Sequence, residues 1–198
     1  MSRMPAAERR EQLLDVASEL FSKQGYARAT TNQLARAAGV TEPIIYRHFK
    51  SKKDLFIALI ERTGRRTLEQ WEHDLEGASD PADRLARLIG DNPMVSKQGR
   101  ESYRVFLQSI SEIDDDGIRE AVRAHVQSLH AFVTREIEAA QSAKKVADRF
   151  PAGVIAWMLL EMGMGYGVMS AMKVEGHGAG EDGLHVKDVL TRVLIGKG

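Results

Sequence analysis

The chain has 198 residues, 43% of them hydrophobic and 28% charged, with 28 Lys+Arg against 28 Asp+Glu and no cysteine. That is the composition of a globular chain long enough for one large or two small domains, and it excludes disulfide frameworks, cysteine metal sites and thiol nucleophiles. The charge is unevenly spread: residues 1–66 hold 13 Lys+Arg against 7 Asp+Glu and residues 67–198 hold 15 against 21, which suggests a front part facing a polyanion.

The first stretch, "MSRMPAAERREQLLDVA", has no apolar core of signal-peptide length, so a cytoplasmic location is expected. Ala7 to Lys23 reads as a helix, with Leu13, Leu14, Ala17, Leu20 and Phe21 on one face, and Gly25 is placed to end it in a left-handed cap. Thr30 and Thr31 offer N-cap oxygens for a short second helix that ends at Gly39. Thr41 can cap a third, with Pro43 in its first turn, where the missing N–H costs nothing. Ser51 can cap a fourth, running to about Leu75.

"EGASDPAD" (Glu76 to Asp83) is the first clear break. Beyond it the pattern predicts a short helix around Asp83 to Ile89, another from about Gly99 to Glu112, and a long one from about Gly117 to Ala143. Ala152 to Met172 is apolar and long enough to span a bilayer, but Glu161 at its middle favours a buried helix of a soluble protein, with no membrane partner. Glu175 to Gly183 reads as a loop, and a last amphipathic helix carries Val186, Val189, Leu190, Val193 and Leu194. No alternating strand pattern of useful length occurs, so the expected fold is all-α. The expected organisation is an N-terminal three-helix domain over 1–50, a connecting helix over 51–75 and a helical domain over 76–198.

Thr31 to Lys50, "TNQLARAAGVTEPIIYRHFK", has the parts of a helix-turn-helix. Ala35 is small where two helices cross, Gly39 supplies a positive φ at the turn, and Leu34, Val40 and Ile45 face inward. In such motifs the second helix enters the major groove by its N-terminal end. Thr41, Glu42 and Pro43 would then lie nearest the bases. Pro43 can touch a thymine methyl, and Glu42 can accept from a cytosine amino group or simply sit over the helix N-terminus. Tyr46 and His48 can donate to phosphates, and Arg47 can read guanine or hold a phosphate. Lys52 sits at the start of the fourth helix, where backbone N–H groups also favour an anion. The competing reading from pattern alone is a generic αα-hairpin.

"TTNQLARAAGVTEPIIYRHFKSKKDLF" resembles the N-terminal domain of the TetR (tetracycline-repressor) family of transcriptional regulators: threonine before helix two, Ala-Gly-Val at the turn, Tyr-x-His-Phe closing helix three, then Ser-Lys and an apolar run. The resemblance covers about Glu8 to Leu59. It implies an all-α homodimer that binds a palindromic double-stranded DNA operator, with a C-terminal ligand-binding and dimerisation domain. By that resemblance Thr31, Thr41, Tyr46, His48 and Lys52 take DNA-contacting positions, and the last two long helices, Pro151 to Met172 and Leu184 to Ile195, form the dimer interface. Glu42-Pro43 departs from the small or polar residues usual there, which leaves the base preference open.

For the C-terminal half, Met and aromatic content suggests a pocket centred on Phe106, Leu129 and Trp157, lined also by Tyr103, Ile110, Phe132, Met158 and Met162, for a largely apolar effector. Each of those residues also fits an ordinary core position. The six histidines show no metal-ligand spacing, no GxSxG occurs, and "GMGYG" lacks a preceding strand, so no enzyme, metal or cofactor is expected. The alternative function is a helical small-molecule-binding or assembly protein that does not use DNA, a reading that Glu42 favours.

Overall fold

A computed structural model describes residues 4–90, 104, 106–177 and 185–195. Among them the fold is all-α: α1 (Ala6–Gln24), α2 (Thr31–Ala38), α3 (Glu42–His48), α4 (Lys52–Asp74), α5 (Pro81–Gly90), α6 (Asp116–Ser142), α7 (Ala152–Ala171) and α8 (Val186–Ile195). Residues 106–110 are also helical, within the stretch where the spacing predicts a helix; 91–103 and 105 lie outside the described residues.

The chain divides into two compact units, residues 1–63 with 101–125 and residues 64–100 with 126–198. The first is built on α1, α2, α3 and the start of α4. Leu13, Leu14, Ala17 and Phe21 of α1 are buried with Leu34 and Ala35 of α2, Ile45 of α3, and Leu55, Phe56 and Leu59 of α4. Full burial of each large apolar side chain contributes about 1.5–3 kcal/mol. Ile118 and Ala121, from the first turns of α6, belong to the same core. Arg62 is 4% exposed, and its Nη1 donates to Asp15 Oδ1 (2.8 Å), Glu11 Oε2 (3.2 Å) and the Glu11 carbonyl (3.3 Å), tying α4 to α1.

In the second unit Trp71, Leu75, Leu85, Leu129, Phe132, Val133 and Ile137 pack with Ile155, Ala156 and Leu160 of α7, and α5 packs against α8. Arg84 holds the buried Glu136 through two bonds, Nε to Oε2 (2.7 Å) and Nη2 to Oε1 (3.1 Å). Burial alone would raise the Glu136 carboxyl, but Arg84 and Arg135 together hold it below its ordinary value. Helix α7 is long and apolar enough to cross a membrane, with a mean hydropathy of 1.4. One of its faces, Ala152, Ile155, Ala156, Leu160 and Gly167, is buried in this unit, and the opposite face exposes Val154, Trp157, Met158, Glu161 and Met162.

Candidate nucleic-acid interface

The α2–α3 pair is fixed by its ends. Thr30 is the N-cap of α2 and forms a full capping box: Gln33 N–H donates to Thr30 Oγ1 (3.2 Å) and Thr30 N–H donates to Gln33 Oε1 (3.0 Å). Gly39 closes α2 in the left-handed region (φ 66°, ψ 32°), and Val40 N–H returns to the Ala35 carbonyl at 2.9 Å. At Gly25 the outcome differs from the left-handed cap that the sequence predicts: φ is 88° but ψ is 148°, so the chain leaves α1 extended towards the Gly25–Thr30 connection.

Thr41 takes the N-cap position of α3, but its hydroxyl makes no capping bond. The reason is local. Pro43 removes the N–H at the second helical position, and Ile44 N–H bonds the Thr41 carbonyl at 3.0 Å instead. Thr41 and Pro43 are exposed at the start of α3, with Glu42 half-buried between them; Tyr46 and Arg47 are exposed one turn on, and His48 is half-buried. Ile45 and Phe49 point into the core, and the Arg10 guanidinium lies over the Phe49 ring at 4.9 Å.

Three of the residues singled out in the sequence meet. Thr31 Oγ1 lies 3.2 Å from the Tyr46 hydroxyl and 3.4 Å from Glu42 Oε1, to which it donates. Glu42 therefore has a partner on α2, one turn before Tyr46 on the same side of α3. Lys52 is engaged differently from a side chain reaching outward: its Nζ donates to the carbonyls of Tyr26 (3.0 Å), Ala29 (3.0 Å) and Ala27 (3.4 Å) and sits 4.4 Å from the Tyr26 ring centroid. That ring stacks on Phe56 at 4.1 Å. Burial, with Glu112 and Asp115 nearby, raises the Tyr26 hydroxyl above its ordinary pKa.

Gln108, which the sequence does not single out, holds the end of α1. Tyr26 N–H donates to its Oε1 and its Nε2 donates to the Phe21 carbonyl, both at 2.8 Å. Nothing in the periodicity of a stretch so far downstream pointed to the end of α1.

Of the residues proposed to line an effector site, Tyr103 lies outside the described residues. Phe106 is buried in the first unit, edge-on to His125 at 5.7 Å, and Ile110 in that unit is exposed. Leu129 and Phe132 are buried in the second unit, where Phe132 packs on Trp71; Trp157, Met158 and Met162 are 41%, 38% and 37% exposed, and Trp157 stacks on His130 at 4.1 Å. Among the described residues no group of three or more His, Cys, Asp or Glu is placed to hold a metal.

Residues 13–59 match the family described as bacterial regulatory proteins, tetR family. Residues 13–59 are thus an N-terminal domain of the TetR family. It is similar to the HTH-type transcriptional activator FasR of Mycolicibacterium smegmatis, 38% identical over 108 residues, covering 54% of this chain and 49% of that protein. The chain thus spans about half the length of the curated relatives it matches, or less. Its fold is similar to a transcriptional regulator from Saccharomonospora viridis solved in complex with choline (TM-score 0.78, 23% identity, 86% of this chain and 88% of that one). It is also similar to FadR from Bacillus subtilis in complex with stearoyl-CoA (TM-score 0.74, 16% identity, 94% and 97%).

Proposed function

We propose that the protein is a cytoplasmic, homodimeric, ligand-responsive transcriptional repressor that binds a palindromic operator and is released by an amphipathic, largely apolar small molecule. The observation that carries the DNA part is the α2–α3 pair, whose buried Leu34, Ala35 and Ile45 leave Thr41, Pro43, Tyr46 and Arg47 exposed together. Thr41, with its hydroxyl outside the cap, and Pro43 face base edges; Tyr46, Arg47 and His48 reach the phosphates or a guanine. Glu42 orients Thr31 and offers its second oxygen to a cytosine amino group. Lys52 adds positive charge while holding the connection before α2.

Dimerisation is supported by the exposed face of α7 and by Val186, Val189 and Val193, which are exposed along α8. The effector site is proposed on the helices of the second unit, near Leu129 and Phe132. There Trp71 Nε1, beside Phe132, is buried without a hydrogen-bond partner and would anchor the polar end of an otherwise apolar molecule. The stearoyl-CoA complex of one fold relative supports that chemistry.

Selection from random duplex DNA at two salt concentrations tests the reading. An enriched palindrome with half-sites about one turn apart and a steep salt slope is expected. No enrichment, with weak binding at low salt only, refutes it. FasR is named an activator, so a reporter fused to the selected site must also show repression by this chain, relieved by ligand.

A further inference from the structure

We propose that Gln108 is a positioning residue for DNA binding: its side-chain amide, supplied from outside the helix-turn-helix, fixes the Gly25–Thr30 connection and so sets the place of the threonines that open α2. The proposal rests on the DNA-binding reading above.

The connection has few ways of holding itself. Gly25 N–H returns to the Phe21 carbonyl at 2.8 Å, and Ala29 N–H reaches the Gly25 and Tyr26 carbonyls at 3.2 Å. The outward carbonyls of Tyr26, Ala27 and Ala29 are gathered by Lys52. Tyr26 N–H is held by Gln108 Oε1, and Gln108 Nε2 closes the loop on Phe21. This pair of bonds demands an acceptor and a donor in one plane, which a carboxamide supplies and a carboxylate, an ammonium or an alkyl group does not.

The stretch that follows Gln108 is anchored within the same unit. Lys53 Nζ pairs with Asp115 Oδ2 at 3.0 Å, a Cβ at Gly117 would come within 3.1 Å of Ile57, and Ile118 and Ala121 are in the core. On the other side of the connection Thr30 caps α2 and Thr31 meets Tyr46, so a shift at Tyr26 is passed to the residues that face DNA. Contact geometry of this kind tolerates about 0.5 Å.

The test uses the full chain, with Gln108→Leu and Gln108→Glu. First, exchange of the Tyr26 amide with solvent deuterium is compared with wild type, and faster exchange is expected in Gln108→Leu. Second, affinity for the selected duplex is measured against salt, well below each variant's melting temperature. Affinity is expected to fall about tenfold in both variants, with the slope of log K against log salt unchanged, because no phosphate contact is lost. Affinity equal to wild type in both variants overturns the proposal. So does a slope that falls by about 0.9, the mark of a direct phosphate contact. Wild-type protein that selects no duplex at all overturns the DNA reading and this proposal with it, and is recognised before any variant is made.

Discussion

Arg84→Met is the perturbation whose effect follows most directly from the geometry. Glu136 is only 5% exposed at its side chain, and Arg84 gives it two charge-assisted bonds, at 2.7 and 3.1 Å. Such bonds contribute about 1.5–3 kcal/mol each in the intact pair. Arg135 Nη2 remains 3.1 Å from Glu136 Oε1 and offsets part of the loss, and Arg84 is itself partly exposed. We therefore expect Arg84→Met to destabilise the fold by about 3 kcal/mol, the low end for breaking a buried pair. The assay is urea unfolding at fixed protein concentration, read as a shift of midpoint at unchanged m. Removing both partners, in Arg84→Met with Glu136→Leu, should restore most of the loss, since no buried charge is left behind.

The pH dependence has a definite sign. Glu136 titrates below its ordinary value in the folded chain, so its stabilisation is present above the unfolded pKa and is lost as pH falls through the folded one. The gap between wild type and Arg84→Met should thus be widest near neutrality and should close below about pH 4. A gap under about 1 kcal/mol at pH 7, the value of a surface pair, would refute the reasoning.

Tyr46→Phe removes the hydroxyl beside Thr31 and should weaken binding to every duplex by roughly fivefold without changing the preferred sequence, measured by titration of matched and mismatched sites. Burial lowers the His125 pKa from 6.5 to about 4, so the unfolded chain takes up the proton first and stability should fall between those pH values as pH is lowered. His125→Phe should flatten that part of the stability–pH curve, and an unchanged curve would sink the assignment. Gly39→Ala meets no atom within 4 Å but must hold φ at +66°, so it should cost about 1–2 kcal/mol in thermal unfolding through backbone strain alone.

The helices of the first unit are legible in the sequence because each carries local punctuation. Thr30 with Gln33, Gly39 and Ser51 act on the backbone within a few residues, and Ser51 Oγ does accept from Asp54 N–H at 3.0 Å. The buried faces of α1 and α3 followed from the spacing of Leu13, Phe21 and Ile45. Thr41 misled because Pro43 lacks one N–H its hydroxyl could take and Ile44 spends the other on the Thr41 carbonyl. Lys52 looked like an outward cation because the three carbonyls that hold it belong to a loop more than twenty residues earlier. Arg62 and Gln108 are tertiary facts: a polar residue on a helix is unremarkable until the partner helix arrives, and hydrophobic spacing does not say which polar groups will meet. The residues expected to line an effector site were the least legible, because a methionine at helical spacing reads the same in a core, at an interface and beside a ligand.

The first unit is made from two separate stretches of chain, residues 1–63 and 101–125. On the ribosome, α1 to α3 emerge well before the residues that complete their core. Synthesis at about 5–20 residues per second leaves roughly 3–12 s in which the surfaces awaiting Ile118 and Ala121 stand open to water and to other chains. An N-terminal fragment cut after α4 would remain in that condition permanently. The nascent chain is therefore most exposed to chaperones and to aggregation while the intervening segment is being made, and slowing translation there should lower the soluble yield more than slowing it elsewhere.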